Sequence, residues 1–258
     1  MITVLPIVIF IIVLFFYLHL QKEYKINNDL EVLSVNLQDK YNFEEICNLK
    51  QPVLFNYYLN NNKKLTKEYL LNNYKIFDIN IRNIKNKENE ELFINLNLEK
   101  SFELFNKDKK SSYITENNYE FIKEVNFMNN FSKLNNILKP YLCLKERYDL
   151  MTGSNNSYTP LRYNLSNRNF YYISKGSIEV KLVPPKYSIY LNEIKDYENF
   201  EFRSSIDIWN TEEKYNTTLE KIKQLNFILS ENNILYIPQY WWYSFKYTDS
   251  TIVCNAKY

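Results

Sequence analysis

The sequence predicts a mainly β fold with added helices, a sandwich or barrel, behind one N-terminal helix that crosses a membrane. Three observations carry this prediction. Residues 1–20 contain no charged side chain. After Pro140 the chain breaks into short aromatic or β-branched runs separated by Gly, Pro, Asn or Ser, the habit of strands rather than helices. Between these regions apolar residues recur first at alternating and then at helical intervals. With 258 residues, 45% of them hydrophobic, the chain can build a substantial core in one large domain or two small ones.

As a helix, residues 1–20 span about 30 Å at about 1.5 Å per residue, the thickness of a bilayer core. The rival reading is a cleaved signal peptide, but no Lys or Arg precedes the apolar run and no small-residue cleavage site follows it. Tyr17 and His19 then fall near the interface, and Lys22 and Lys25 follow. The positive-inside rule places the body in the cytoplasm, although Glu23 and Asp29 dilute the local charge. The expected organisation is an anchor at 1–20, a stalk or first strand within 21–45, and a folded domain at 46–258.

Within that domain, Gln51-Pro52-Val53-Leu54-Phe55 begins the core. Thr66 is placed to cap a helix through Glu68, Leu70 and Leu71. Residues 76–105 alternate as half-buried strands do. Tyr119, Ile122, Val125, Phe131, Leu134 and Leu138 fall at helical intervals, and Pro140 ends that region. Strands are expected at 170–174, 178–183, 234–237, 242–247 and 251–255. One helix is expected from Thr211 or Glu212 to about Leu225.

Composition excludes several function classes. The 32 basic and 30 acidic residues give a net charge of +2 without a long basic block, so no nucleic-acid footprint is expected. Three cysteines without C-x-x-C spacing indicate neither a disulfide framework nor a zinc cluster. Two glycines can hardly supply a P-loop or a dinucleotide-binding turn. Asn runs and sequons at Asn130, Asn155, Asn164 and Asn216 follow from a composition that an A/T-rich coding sequence produces. The one histidine, His19, lies in the anchor, so the body has none and most histidine chemistry is closed to it.

Residues 159–185 (TPLRYNLSNRNFYYISKGSIEVKLVPP) and 234–243 (ILYIPQYWWY) carry a resemblance. In order stand Thr159-Pro160, Asn169-Phe170, Lys175-Gly176, Pro184-Pro185, Tyr236-Ile237-Pro238 and Trp241-Trp242, with Ser204-Ser205-Ile206-Asp207 between the blocks and Gln51-Pro52-Val53 before them. The set resembles the cupin-like subgroup of the JmjC family, Fe(II)/2-oxoglutarate oxygenases built on a double-stranded β-helix, or jelly roll. The resemblance runs from about residue 46 to residue 258. It implies a facial triad of two histidines and a carboxylate.

Here those positions hold Arg162, Asn164 and Tyr243. Arginine has no lone pair to donate, the amide is a weak neutral ligand, and a phenol binds poorly unless a metal already lowers its pKa. The lysine that the family aims at the cosubstrate carboxylate is replaced by Ile178, and its Gly-Asp turn by Asn232-Asn233. The expectation is therefore a catalytically inactive member with no catalytic residues, metal or cofactor, and with a vestigial site at Thr159, Arg162, Asn164 and Tyr243. Arg162 either plugs the old cavity against an acidic partner or holds an anionic ligand or peptide, which would make the protein a binding module. Trp241 and Trp242 are expected to pack on opposite sides of one strand, and Cys254 to behave as a small apolar residue. Small size, composition and anchor make the chain similar to membrane-anchored cupin-like proteins of large DNA viruses. That similarity implies a structural or assembly role at a viral membrane or in a virion, with the bilayer meeting residues 1–20 and a protein partner at the membrane. An active oxygenase would need a metal that this ligand set does not supply.

Overall fold

Alternating burial puts most of the chain into two sheets, seen in a computed structural model that describes residues 4–36, 40–56, 65–85, 93–127, 135–141 and 143–258. The first sheet has nine strands. It contains β1 (Leu33–Asn36), β2 (Val53–Asn56), β3 (Asp78–Asn83), β4 (Ile94–Asn97), β5 (Tyr113–Thr115), β6 (Arg147–Gly153), β8 (Arg168–Lys175), β13 (Asn233–Pro238) and β15 (Ile252–Lys257). The second has six: β7 (Arg162–Tyr163), β9 (Ser177–Val183), β10 (Glu193–Asp196), β11 (Glu201–Ser204), β12 (Leu225–Ser230) and β14 (Trp242–Tyr247). Their spatial orders are β1-β2-β13-β8-β15-β6-β5-β3-β4 and β10-β11-β7-β14-β9-β12. From β6 to β9 and again from β12 to β15 the chain alternates between sheets, the winding that the resemblance implies.

Side-chain period fixes this winding. In β9, Ile178, Val180 and Leu182 are buried while Ser177, Glu179 and Lys181 are only partly covered. A one-residue slip would turn that apolar set to solvent. These side chains pack with Leu235, Ile237, Tyr243, Phe245 and Val253 between the sheets, and full burial of each large one contributes about 1.5–3 kcal/mol. The β8–β9 turn needs glycine: Gly176 has φ +81°, and a Cβ there would meet Thr251 Oγ1 at 2.7 Å. Asn232, in place of the family's glycine turn, has φ +68°, a conformation that Asn tolerates better than most residues.

The strands expected near 170–174, 178–183, 234–237, 242–247 and 251–255 are β8, β9, β13, β14 and β15. Thr66 caps α3 (Lys67–Tyr74), its Oγ1 accepting from the Tyr69 N–H at 3.2 Å. Trp241 and Trp242 are both buried but belong to different clusters, one with Tyr171 and Phe245, the other with Leu161 and Val183. Their indole N–H groups donate to Asn27 O at 3.1 Å and Ser188 Oγ at 2.7 Å.

Several expectations need correction. Helix α1 (Val4–Glu23) continues three residues beyond the expected anchor, and its solvent-exposed apolar length could cross a membrane, a property it shares with signal sequences. His19 lies within it, stacked on Phe15. Of the two readings of residues 21–45, the first strand is present as β1, and the segment packs on the domain. Asn27 and Asn28 bond to Trp241 and Lys186, and β1 pairs in parallel with β2. Phe43 of α2 (Lys40–Asn48) is buried with Phe55 and Phe170. The alternating stretch at 76–105 gives β3 and β4 but then α4 (Leu98–Lys107), whose Asn97 cap accepts from the Lys100 N–H at 2.9 Å. The helical spacing from 119 gives α5 (Tyr119–Glu124) and a helical turn at 135–138 that buries Leu138. Phe131 and Leu134 lie outside the described residues. The helix expected from Thr211 or Glu212 to Leu225 is a 3-10 turn, Glu213–Tyr215, with one α-turn, Asn216–Leu219, because Leu225 already belongs to β12.

Candidate functional site

Strand β7 and strand β14 place Arg162 and Tyr243 directly opposite each other. Asn164 follows β7 immediately and donates from Nδ2 to the Tyr243 hydroxyl at 2.8 Å. The three expected ligand positions are therefore brought together in the mouth between the sheets. Thr159 is fully buried nearby, but its Oγ1 accepts from the backbone N–H of Phe245 at 3.0 Å, a strand-locking bond.

The Arg162 guanidinium meets a carboxylate that sequence reading did not place there. Its Nη1 donates to Glu116 Oε1 at 3.0 Å and its Nη2 to Glu116 Oε2. Arg82, on β3, donates to the same Glu116 Oε1 at 3.2 Å and to both oxygens of Glu201, on β11, at 2.6 and 3.3 Å. Arg162 also lies 3.9 Å from Glu201. Two cations and two anions form a quartet whose side chains are no more than 11% exposed, with the partly exposed Arg203 at its edge, 3.8 Å from Glu201. Burial alone would raise the Glu116 carboxyl, but the charges of Arg162 and Arg82 outweigh it and hold the group at about 2. Such a cluster is tolerable inside a protein only because every charge has a counter-charge.

A second polar chain continues inward from Tyr243. Asn164 also approaches the Tyr171 hydroxyl at 3.4 Å, Asn169 donates to that hydroxyl at 2.9 Å, and Asn255 donates to Asn169 Oδ1 at 2.7 Å. Asp149, on β6, accepts from the N–H groups of Asn117 and Asn118, each at 2.8 Å. Its burial still pushes the carboxyl up to about 6 against Lys257 and those N–H groups, which act to lower it. Among the described residues, no group of three or more His, Cys, Asp or Glu side chains is arranged to hold a metal ion.

The donor set does not fit the Fe(II) and 2-oxoglutarate that the resemblance implies. Arg162 presents N–H donors already committed to Glu116, and the Asn164 amide is turned so that its NH2 faces Tyr243. Ile178, at the cosubstrate-lysine position, is fully buried in the apolar core and offers no charge. The model of the cupin-like domain matches residues 39–258. The chain belongs to the cupin-like domain family. A search of curated proteins finds no match.

In this cupin-like chain the domain match starts within the segment expected to be a stalk, in keeping with the buried Phe43 of α2. Glu116, Glu201, Arg82 and Asp149 escaped sequence reading because none lies in the motif blocks. Only the fold brings positions 34 and 119 residues apart together at Arg82. One usable signal was that Arg162, inside a predicted strand region, needed an acidic partner. Cys254 behaves as expected: it is buried, and desolvation pushes its thiol up to about 12. A cavity of about 70 Å³ borders the quartet at Arg162 and Glu201 and reaches Asp149 and Asn164. It shares Arg147, Phe200 and Lys257 with a wider surface cleft of about 560 Å³.

Proposed function

We propose that this cupin-like protein is held to a membrane by α1, has abandoned its family's metal chemistry, and serves a structural or assembly role. The observation that supports this reading most directly is the buried pairing of Arg162 with Glu116. It fills the position of a metal ligand with a neutralised cation, and removing either charge would leave the other desolvated. The pseudoenzyme reading therefore rests on what the site contains. A viral membrane or virion is the setting favoured by analogy, from the composition, size and apolar N-terminus. In that setting residues 1–20 meet the lipid, the body faces the cytoplasm, and a protein partner sits at the membrane.

The full chain in lipid nanodiscs, supplied with Fe(II), 2-oxoglutarate and oxygen, is expected to release no succinate above the protein-free background. Sustained turnover that Tyr243→Phe removes would overturn the reading. Orientation has its own readout, since Asn155 is exposed and heads a sequon. A cytoplasmic body stays unglycosylated in a eukaryotic cell, whereas a glycan at Asn155 would reverse the topology.

A further inference from the structure

The surface cleft of about 560 Å³ lies beside the mouth and is lined by Lys145, Arg147, Lys257, Phe200, Leu165 and Glu198, among others. Three cations face one anion there. In the pairing of β6 with β15, Arg147 and Lys257 stand directly opposite each other, an arrangement of like charges that destabilises a sheet unless something neutralises it. Among the described residues none of the three cations forms a salt bridge, and Arg147 has only the Tyr119 ring, 5.7 Å away. Lys257 also acts on the buried Asp149 carboxyl behind the cleft, so Arg147 and Lys145 are the cations there without an acidic partner among the described residues.

Phe200 supplies a second observation. It is 73% exposed and adopts φ +54°. A bulky aromatic residue in the left-handed region is strained, and such strain clusters at functional surfaces. Leu165 is also 43% exposed. The cleft therefore combines positive charge with uncovered apolar and aromatic surface, in a volume within the usual range for ligand sites.

We propose that this cleft docks an acidic peptide segment of a partner protein, its carboxylates between Arg147, Lys257 and Lys145 and an apolar side chain against Phe200. The inference rests on the assembly role proposed above and names the surface that performs it. An extended peptide matches both halves of the cleft, whereas a free inorganic anion would use only the charges.

The test is fluorescence anisotropy of a fluorescein-labelled Asp-Glu-Phe-Asp-Glu-Leu peptide with the full chain in neutral detergent at low salt. Saturable binding is expected, weakened about tenfold by Arg147→Glu with Lys257→Glu, which corresponds to about 1.4 kcal/mol. Lys145→Glu lies outside the strands and should weaken binding about threefold without touching the fold. A Lys-Arg-Phe-Lys-Arg-Leu control should not bind. No binding of the acidic peptide, binding unchanged in both charge variants, or equal binding of the basic control would overturn the cleft assignment. So would full displacement of the peptide by inorganic phosphate at matched ionic strength. Failure here with no metal uptake would remove the docking site and leave the loss of metal chemistry standing.

Discussion

The inner mouth and the outer cleft lie side by side and handle charge in opposite ways. Inside, Arg82 and Arg162 are matched by Glu116 and Glu201, with every side chain almost out of solvent. Outside, Arg147 and Lys145 are exposed beside Glu198, and the half-buried Lys257 also acts on Asp149. On the proposed docking role, the difference separates a self-neutralised interior from a surface that meets a partner. A buried charge must be cancelled within the molecule, which closes the inner site to a new ligand, while an exposed cation can wait for one.

The comparison breaks most visibly if the quartet is unbalanced. Arg162→Ala leaves Glu116 with Arg82 alone and should destabilise the folded chain by about 3–5 kcal/mol, read by chemical denaturation. Combining Glu116→Leu with Arg162→Met should cost much less than the sum of the single changes, because Arg82 and Glu201 then remain a complete pair. Additive losses would show that the pairing does not hold the mouth together.

Acid sharpens the same point. Glu116 binds its proton less readily when folded, at about 2, than in its ordinary range near 4.5. Its stabilising contribution is complete above about 4.5 and is lost as pH falls toward about 2. Unfolding free energy should therefore drop more steeply over that window in the wild type than in Glu116→Gln, and matching slopes would contradict the pairing.

Smaller effects mark the boundary between the regions. Thr159→Val removes the acceptor of the buried Phe245 N–H and should cost about 1–3 kcal/mol. Arg147→Gln and Lys145→Gln, in the outer cleft, should change stability by no more than about 0.5 kcal/mol while weakening the acidic peptide. A large loss of stability from Lys145→Gln would make the cleft structural instead.

How much was legible in the sequence differs along the same line. The strands of the sheet-to-sheet winding announce themselves through alternation in 178–183 and through the ordered motif residues, so β8, β9, β13, β14 and β15 were expected in place. The expected site residues Arg162, Asn164 and Tyr243 do meet, since register carries them together. Six strands, β5, β6, β7, β10, β11 and β12, remained hidden for different reasons. β10 and β11 are four residues each and largely polar, and the apolar residues of β12 follow a helix start that reads as continuous with it. α4 was masked because its first residues extend the alternation of β4, and only the Asn97 cap marks the change of period. Glu116 and Glu201 were invisible as partners, because an ion pair across 46 or 119 residues leaves no local pattern.

The most direct test of the central claim is manganese binding by the full chain, followed through the electron paramagnetic resonance of free Mn(II). The account predicts that equimolar protein leaves the free Mn(II) signal undiminished. Stoichiometric loss of that signal, restored by Asn164→Ala with Tyr243→Phe, would mean that the mouth still holds a metal.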